Sequence, residues 1–236
     1  MLQDAFICNR GALMIDDTYK ARMSGKKLII FDLDGTINDS RKSYFHCLRM
    51  AAEGIGRYDL TDKDFELCLT GPFDVSVQKI FGFSSPEEMQ YAVKLYVDAY
   101  NNGGNTLFEM YPGVDKTLKY LKDRGYLIGM ATCTLRQFAE DRLDLFHIRD
   151  YFDDVCGVAE DLKMRKDDVI NCCLDELKVD PADAVMVGDS FDDRNAALKC
   201  GVDFIGTVYG YELREDTCKQ ESIQYIDAIQ DLMYVF

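Results

Sequence analysis

The chain has 236 residues, and its 42 acidic side chains against 27 basic ones leave a formal net charge of −15 at pH 7. A chain of this length can bury roughly 70–75% of its unfolded surface, so it needs no disulfide or metal ion to complete a core. The acidic balance argues against nucleic acids and anionic membranes as partners, because both bind basic faces. It does not exclude a small anionic molecule whose charge a metal ion and a lysine offset locally.

The cysteines and the first residues indicate a reducing compartment. The nine cysteines form no C-x-x-C pair, which fits neither a disulfide framework nor a zinc site. Asp4, Asn9, Arg10 and Asp16 interrupt what would have to be an apolar stretch, so we expect neither a signal peptide nor a membrane span there. We therefore predict a cytoplasmic protein, with residues 1–24 as an N-terminal extension of unknown role.

Short apolar runs bounded by turn residues predict strands that are buried on both faces, as in a parallel sheet. These runs are residues 28–31, 126–131, 155–158, 184–187 and 204–208. Helical patterns alternate with the later runs, over residues 113–124, 135–146, 167–177 and 192–200. The alternation predicts right-handed crossovers and a Rossmann-like, doubly wound α/β core.

A long interval after the first strand predicts a second domain. About 75 residues separate Thr36 from Tyr111, far more than the ~12 that one crossover needs. Thr61 and Ser85 each begin a pattern that is typical of a capped helix. We therefore predict an all-helical cap domain inserted into the core. The predicted boundaries are residues 25–38 and 108–236 for the core and residues 39–107 for the cap.

Polar residues follow the predicted strands. Asp32 and Asp34 end the first strand, Thr132 ends the second, and Asp189 ends the fourth. A parallel sheet brings these ends to one edge, where clustered carboxylates repel unless a cation neutralises them, and hard oxygen ligands suit Mg²⁺. Asp32 and Asp34 are two apart on an extended chain and share a face. One can therefore attack a substrate while the other transfers protons.

The motifs carry a family resemblance. Residues 31–36, Phe-Asp-Leu-Asp-Gly-Thr, resemble the D-x-D-G-T motif of the haloacid dehalogenase superfamily. Thr132 is similar to the superfamily's second motif, Lys166 to its third-motif lysine, and residues 188–193 to its G-D-x-x-x-D fourth motif. The four motifs occur in the expected order, over about residues 25–212.

Shorter similarities point to the phosphoglycolate phosphatase-like branch with a helical cap. They are Gly71-Pro72 in the insertion, Tyr111-Pro112-Gly113 at the return to the core, and the segment 206–211 near the end. Members of that branch act on different small phosphate esters, so the resemblance supports the hydrolysis of a phosphate ester more firmly than any one substrate. A phosphoglycolate-like ester and a nucleoside monophosphate are both expected candidates.

The resemblance implies a Mg²⁺-dependent phosphoric monoester hydrolase. Asp32 is then the nucleophile that forms an aspartyl-phosphate, and Asp34 is the acid that protonates the leaving group and later the base that activates water. Mg²⁺ is held by the Asp32 carboxylate, the Asp34 backbone carbonyl and the Asp189 carboxylate. Thr132 and Lys166 bind the phosphoryl oxygens.

Several roles near this site rest on weaker patterns. Asp193 is expected to orient the metal's waters or Lys166 rather than to bind the metal. The third motif lacks the usual Lys-Pro, so Lys163 is the alternative to Lys166. Gly71 and Pro72 form a candidate substrate loop in the cap.

Cys133 stands where the superfamily usually has Asn or Ser. A thiol beside a phosphate-binding threonine and a lysine is expected to have a lowered pKa and to react selectively with alkylating reagents.

Two alternative functions remain open at this stage. A phosphomutase of the same superfamily would use the same motifs, and a non-catalytic binding protein could retain the fold. A dehalogenase is disfavoured because its chemistry does not need the second aspartate, Asp34. The expected partner is a small phosphate ester, with no nucleic acid and no membrane, and the expected assembly is a monomer or a small homo-oligomer.

Overall fold

The computed structural model describes residue 15 and residues 17–70, 73–159 and 164–236. Its strands in chain order are β1 (Leu28–Phe31), β2 (Asn38–Asp39), β3 (Glu109–Met110), β4 (Leu127–Leu135), β5 (Asp154–Val158), β6 (Ala184–Gly188), β7 (Asp203–Thr207) and β8 (Tyr225–Ile226). Its α-helices are α1 (Asp17–Met23), α2 (Arg41–Gly54), α3 (Asp62–Phe65), α4 (Phe73–Phe81), α5 (Pro86–Asn101), α6 (Val114–Asp123), α7 (Arg136–Leu145), α8 (Lys166–Leu177), α9 (Phe191–Lys199) and α10 (Glu215–Gln220). No helix among the described residues is long and apolar enough to cross a membrane.

The core is a six-stranded sheet in the order β5-β4-β1-β6-β7-β8, and its paired neighbours run parallel. The apolar run of β1 is buried on both faces. Leu28 and Ile30 pack into one hydrophobic cluster, whereas Ile29 and Phe31 pack into another on the opposite face. The predicted α/β class and Rossmann-like core are confirmed. The order of the strands also reverses at β1, which is where open α/β sheets bind their ligands.

The predicted helices and strands of the core match the observed ones within a few residues, except at β4. This strand continues beyond residue 131 to Leu135 and carries an irregular register between Thr132 and Leu135. The ladder with β5 pairs Thr132 with Gly157, is irregular over the next two residues, and resumes with Leu135 opposite Val158. Thr132 therefore lies within the strand.

Part of the N-terminal extension packs on the core, although the sequence showed no clear periodicity there. Residues Asp17–Met23 form helix α1, and both Ile15 and Met23 are buried in the core. The hydroxyl of Tyr19 donates a hydrogen bond to the carbonyl of Phe204 at 2.6 Å. Residues 1–14 and 16 lie outside the described residues.

Helices α2 to α5 form a helical insertion between β1 and β4, with a hydrophobic cluster of its own. Its buried members include Leu48, Phe65, Phe81 and Tyr100. Thr61 precedes α3 and Ser85 precedes α5, with Pro86 in the first turn, as the capping patterns predict. The two chain passages that connect the insertion to the core pair as the antiparallel strands β2 and β3. Neither strand was predicted, because two residues show no periodicity.

Candidate active site

A cleft lies at the carboxyl ends of β1, β4 and β6, with the helical insertion opposite. Its core wall contains the predicted site residues Asp32, Asp34, Thr132, Lys166, Asp189 and Asp193, together with Cys133, Thr134, Ser190 and Asp192. Its opposite wall contains Tyr44, Cys68, Leu69 and Thr70 of the insertion. The structure therefore brings together every predicted core residue of the site.

Asp32 directly follows β1 and forms a buried ion pair with Lys166. Its backbone amide donates to the carbonyl of Val187 at 3.0 Å, which extends the pairing between β1 and β6 into the cleft. Lys166 Nζ lies 2.5 Å from Asp32 Oδ1 and 2.8 Å from Asp193 Oδ1, and it donates to the carbonyl of Ala131 at 3.0 Å. One lysine thus contacts two carboxylates and the backbone of β4.

The ionisation of this pair reflects its burial. Burial raises the pKa of Asp32 to about 7, although Lys166 opposes that shift. Burial alone would lower the pKa of Lys166, but the carboxylates of Asp193 and Asp32 raise it well above its usual value. Lys166 therefore stays charged in the cleft at neutral pH.

Asp189 follows β6 and is 3% exposed. The backbone amide of Tyr211 donates to its Oδ2 at 2.5 Å. The close approach needs glycine on both sides: a Cβ at Gly210 would lie 2.3 Å from the Asp189 Cβ, and a Cβ at Gly35 would lie 2.3 Å from Oδ2. Gly35 also has a φ of +86°, which favours glycine. The D-x-D-G-T motif therefore helps to shape the position of Asp189.

The donors in the cleft fit a divalent cation. Carboxylate oxygens of Asp32, Asp189 and Asp193 all lie within 4.8 Å of one another, and the three residues are buried. Burial, together with the charges of Asp193 and Asp32, raises the pKa of Asp189 well above its usual value. Three buried carboxylates share one lysine, so a hard cation such as Mg²⁺ would balance the remaining charge.

Asp193 also caps the first turn of helix α9. Its Oδ2 accepts from the Ser190 amide at 3.1 Å and from the Ser190 hydroxyl at 2.6 Å, which completes a capping box. Its other oxygen contacts Lys166. The contact with Lys166 agrees with the expected orienting role.

Asp34 points to a different set of partners. The Thr134 hydroxyl donates to its Oδ2 at 2.8 Å, and the Tyr44 hydroxyl donates to the same oxygen at 3.1 Å. Its Oδ1 accepts a charge-assisted hydrogen bond from Arg142, which is 2% exposed. Burial alone would raise the pKa of Asp34, but Arg142 and the hydroxyl donors hold it below its usual value.

Arg142 was not predicted as a site residue, although the sequence contains a pattern that indicates its burial. Ala139, Arg142, Leu143 and Phe146 have the i, i+3, i+4, i+7 spacing of a core-facing helix stripe. An arginine within such a stripe is buried, and a buried arginine needs an acidic partner. The spacing does not reveal which carboxylate that partner is.

Thr132 and Cys133 both line the cleft. Thr132 is 1% exposed, and its Oγ1 accepts from the Thr134 amide at 3.1 Å. The predicted lowering of the Cys133 pKa is wrong. Although the residue is partly exposed to solvent, the surrounding protein removes enough water from the thiol to raise its pKa to about 11, and Lys166 acts in the opposite direction. The lost solvation of a thiolate outweighs the one lysine, whose charge Asp32 and Asp193 already offset.

Gly71, Pro72 and Lys163, which the sequence analysis singled out, lie outside the described residues. Thr70, which immediately precedes Gly71, lines the cleft.

Comparisons with known proteins agree with the motifs. A profile of the haloacid dehalogenase-like hydrolases matches residues 29–207. The chain belongs to this family of hydrolases. The phosphoglycolate phosphatase of Vibrio vulnificus is 30% identical over 218 residues, which cover 89% of this chain and 95% of that protein. The phosphoglycolate phosphatase of Psychrobacter arcticus is 30% identical over 223 residues, which cover 88% of this chain and 94% of that protein.

The fold has a counterpart among solved structures. The crystal structure of a predicted phosphatase from Clostridium acetobutylicum matches with a TM-score of 0.80 at 26% identity, over 89% of this chain and 97% of that chain. These comparisons confirm the superfamily that the four motifs predict. They also confirm that the chain is similar to the phosphoglycolate phosphatases.

Proposed function

We propose that this haloacid dehalogenase-like hydrolase is a Mg²⁺-dependent phosphatase that hydrolyses a small phosphomonoester through an aspartyl-phosphate. The observation that carries the proposal is the placement of Asp32. It ends the central strand in a cleft, is paired with Lys166, and lies beside a second motif aspartate and a carboxylate cluster. Phosphoryl transfer depends mostly on such positioning and charge neutralisation.

Two steps account for the reaction. A carboxylate oxygen of Asp32 attacks phosphorus, the bond from phosphorus to the ester oxygen breaks, and Asp34 gives its proton to the leaving alkoxide. Asp34 then takes a proton from water while the water oxygen attacks the phosphorus of the aspartyl-phosphate. Asp32 is released as a carboxylate with inorganic phosphate. Asp34 is restored to its protonated form by the same transfer.

The chain's other residues bind and orient the phosphoryl group. Lys166 and Thr132 would contact its oxygens, and the support for this is that both line the cleft beside Asp32. The Asp32 and Asp189 carboxylates and the Asp34 backbone carbonyl would hold Mg²⁺, with Asp193 orienting Lys166. Bound there, Mg²⁺ would neutralise charge on the phosphoryl group and on the carboxylates.

The helical insertion is proposed to act as a cap. It supplies one wall of the cleft through Tyr44, Cys68, Leu69 and Thr70. Closure of such a wall would exclude bulk water from the phosphoryl transfer, and its opening would admit water for the second step. Gly71 and Pro72 follow Thr70 directly in sequence and are the candidate substrate loop. We place the cap between residues 39 and 107.

The relatives support a proposed substrate class. Two relatives that align over most of this chain are phosphoglycolate phosphatases, and we propose a phosphoglycolate-like ester or a nucleoside monophosphate as substrate. The described cysteines are all free thiols, which agrees with a cytoplasmic protein. A panel of both ester types, with inorganic phosphate release as the readout, would identify the preferred substrate.

The mechanism is tested by comparing Asp32→Asn with Asp34→Asn. After brief exposure to an ester with a good leaving group, intact-mass spectrometry should detect a phosphoryl adduct on Asp34→Asn and none on Asp32→Asn. An amide at position 32 cannot attack, whereas position 34 matters less when the leaving group needs little protonation. Turnover of Asp34→Asn should fall by about 10²–10⁴-fold, the usual contribution of a positioned acid or base.

Two outcomes would contradict the proposal. Turnover by Asp32→Asn would exclude the aspartyl-phosphate. A wild-type protein that releases phosphate from no ester of the panel would favour a non-catalytic binding protein instead.

A further inference from the structure

Arg142 is a buried cation that lies behind the cleft rather than in its described lining. It extends from α7, and its guanidinium carbon lies 4.0 Å from the centre of the Phe108 ring. The guanidinium is therefore placed between an aromatic face and the carboxylate of Asp34. A planar guanidinium in such a contact has little rotational freedom.

The carboxylate of Asp34 is held by donors from four different elements, α2, α7, β2 and β4. On β2 the side-chain amide of Asn38 donates to Oδ1 at 3.4 Å. Thr134 on β4 and Tyr44 on α2 both donate to Oδ2, at 2.8 and 3.1 Å. Both of these residues line the cleft. Arg142 holds Oδ1 from behind the cleft through a charge-assisted hydrogen bond, which is stronger and more directional than the neutral ones.

The cations beside the cleft are divided between the two motif aspartates. Lys166 contacts Asp32 and Asp193, whereas Arg142 contacts Asp34. The nucleophile and the proton carrier are thus oriented by separate side chains from separate helices. A change at Arg142 can therefore alter the position of Asp34 without altering the pair of Asp32 and Lys166.

We propose that Arg142 is a positioning residue that aims the Asp34 carboxyl at the oxygen of the leaving group. The inference rests on the proposed function, because Asp34 must be the proton carrier for its aim to matter. Arg142 makes no contact with substrate in this role and acts only through Asp34. Loss of Arg142 should therefore reduce the stabilisation of the transition state, which lowers kcat, and leave substrate binding and KM nearly unchanged.

The test compares Arg142→Gln and Arg142→Lys with the wild-type protein on two aryl phosphates. Phenyl phosphate has a basic leaving group that needs a proton, and para-nitrophenyl phosphate has a weakly basic one that needs little. The quantity measured is kcat/KM for each ester, together with KM. The ratio of the two kcat/KM values within one preparation does not depend on the fraction of folded enzyme, so a destabilised variant remains informative.

The matched control is Arg136→Ala on the same helix. Arg136 is half-exposed, and its guanidinium pairs with Glu140 at 3.2 Å. We expect this variant to retain both the rate and the ratio of the wild type.

We expect Arg142→Gln to lower kcat/KM about 10²-fold or more for phenyl phosphate and about tenfold or less for para-nitrophenyl phosphate. Arg142→Lys should recover part of the loss, because an ammonium can still contact Asp34 but lacks the planar fork. Equal losses on both esters, or no loss in either variant, would overturn the assignment while leaving the phosphatase intact. A wild-type protein that is inactive on every ester would overturn the phosphatase, and the role of Arg142 with it.

Discussion

The variant Asp189→Asn tests two properties of the carboxylate cluster separately. One is the repulsion between its charges, which destabilises the metal-free fold, and the other is its proposed ability to bind Mg²⁺. The carboxylate oxygens of Asp32, Asp189 and Asp193 lie within 4.8 Å of one another. Lys166 contacts Asp32 and Asp193, so Asp189 has the least compensation. At an effective dielectric constant near 20, two like charges at this separation repel by about 3 kcal/mol. The amide keeps the size of the side chain and can still accept the hydrogen bond from Tyr211.

The substitution should therefore stabilise the metal-free protein and abolish its response to Mg²⁺. A buried carboxyl escapes part of the repulsion by taking up a proton, so we expect a gain of about 1–2 kcal/mol rather than the full value. For a chain of this size that gain raises Tm by about 2–8 °C. In the wild type, Mg²⁺ at a hundred times its Kd should add about 2.7 kcal/mol, which the variant should lose.

The assay is thermal unfolding of both proteins at mildly alkaline pH, once in EDTA and once in saturating MgCl₂. Asp192→Asn is the control, because Asp192 lines the same cleft without belonging to the cluster. That variant should keep its Mg²⁺ shift. The reasoning is refuted if Asp189→Asn lowers Tm in EDTA, or if its Mg²⁺ shift equals that of the wild type.

Two further predictions concern Lys166 and Cys133, which both line the cleft. Lys166→Ala should lower the rate of phosphate release by about 10²–10³-fold, and by more than Lys163→Ala does, because Lys166 is placed to contact the phosphoryl oxygens; an equal or reversed loss would transfer the role to Lys163. Iodoacetamide should label Cys133 slowly at neutral pH and faster as the pH rises toward about 11, as followed by intact mass, because burial raises the pKa of this thiol. Rapid labelling at neutral pH would contradict that assignment.

The core was predictable because its signals are local. A strand that is buried on both faces reads as a continuous apolar run, and the observed β1 has the predicted bounds. The helices between the strands were also predicted to within a few residues at both ends. Strands β2, β3 and β8 were missed because each has only two residues. Their pairing depends on the tertiary structure and leaves no pattern in the chain.

The predicted site residues in the core were brought together as the parallel topology requires. Strand ends at one edge of a sheet are neighbours whatever the intervening sequence, so Asp32, Thr132 and Asp189 could be grouped before the structure was seen. The pKa of Cys133 could not be predicted in the same way. It depends on how much of the water around the thiol the protein replaces and on the carboxylates that lie near Lys166, and the sequence specifies neither.

Asp32 and Asp34 illustrate why residue type and spacing define a site only in part. The two aspartates share a motif and a face, yet burial raises the pKa of Asp32 to about 7 while the pKa of Asp34 is held below its usual value. Burial and the charge of Asp193 raise the pKa of Asp32, although Lys166 on α8 opposes them. Arg142 on α7 and the hydroxyl donors, in contrast, lower the pKa of Asp34. Both cations are far from the motif in sequence. Lys166 was identified because it belongs to a motif, whereas Arg142 belongs to none. Packing alone therefore gives the two aspartates the reverse of the ionisation that their proposed roles need. Those roles require a bound cation to lower the pKa of Asp32 and a bound phosphate ester to raise that of Asp34.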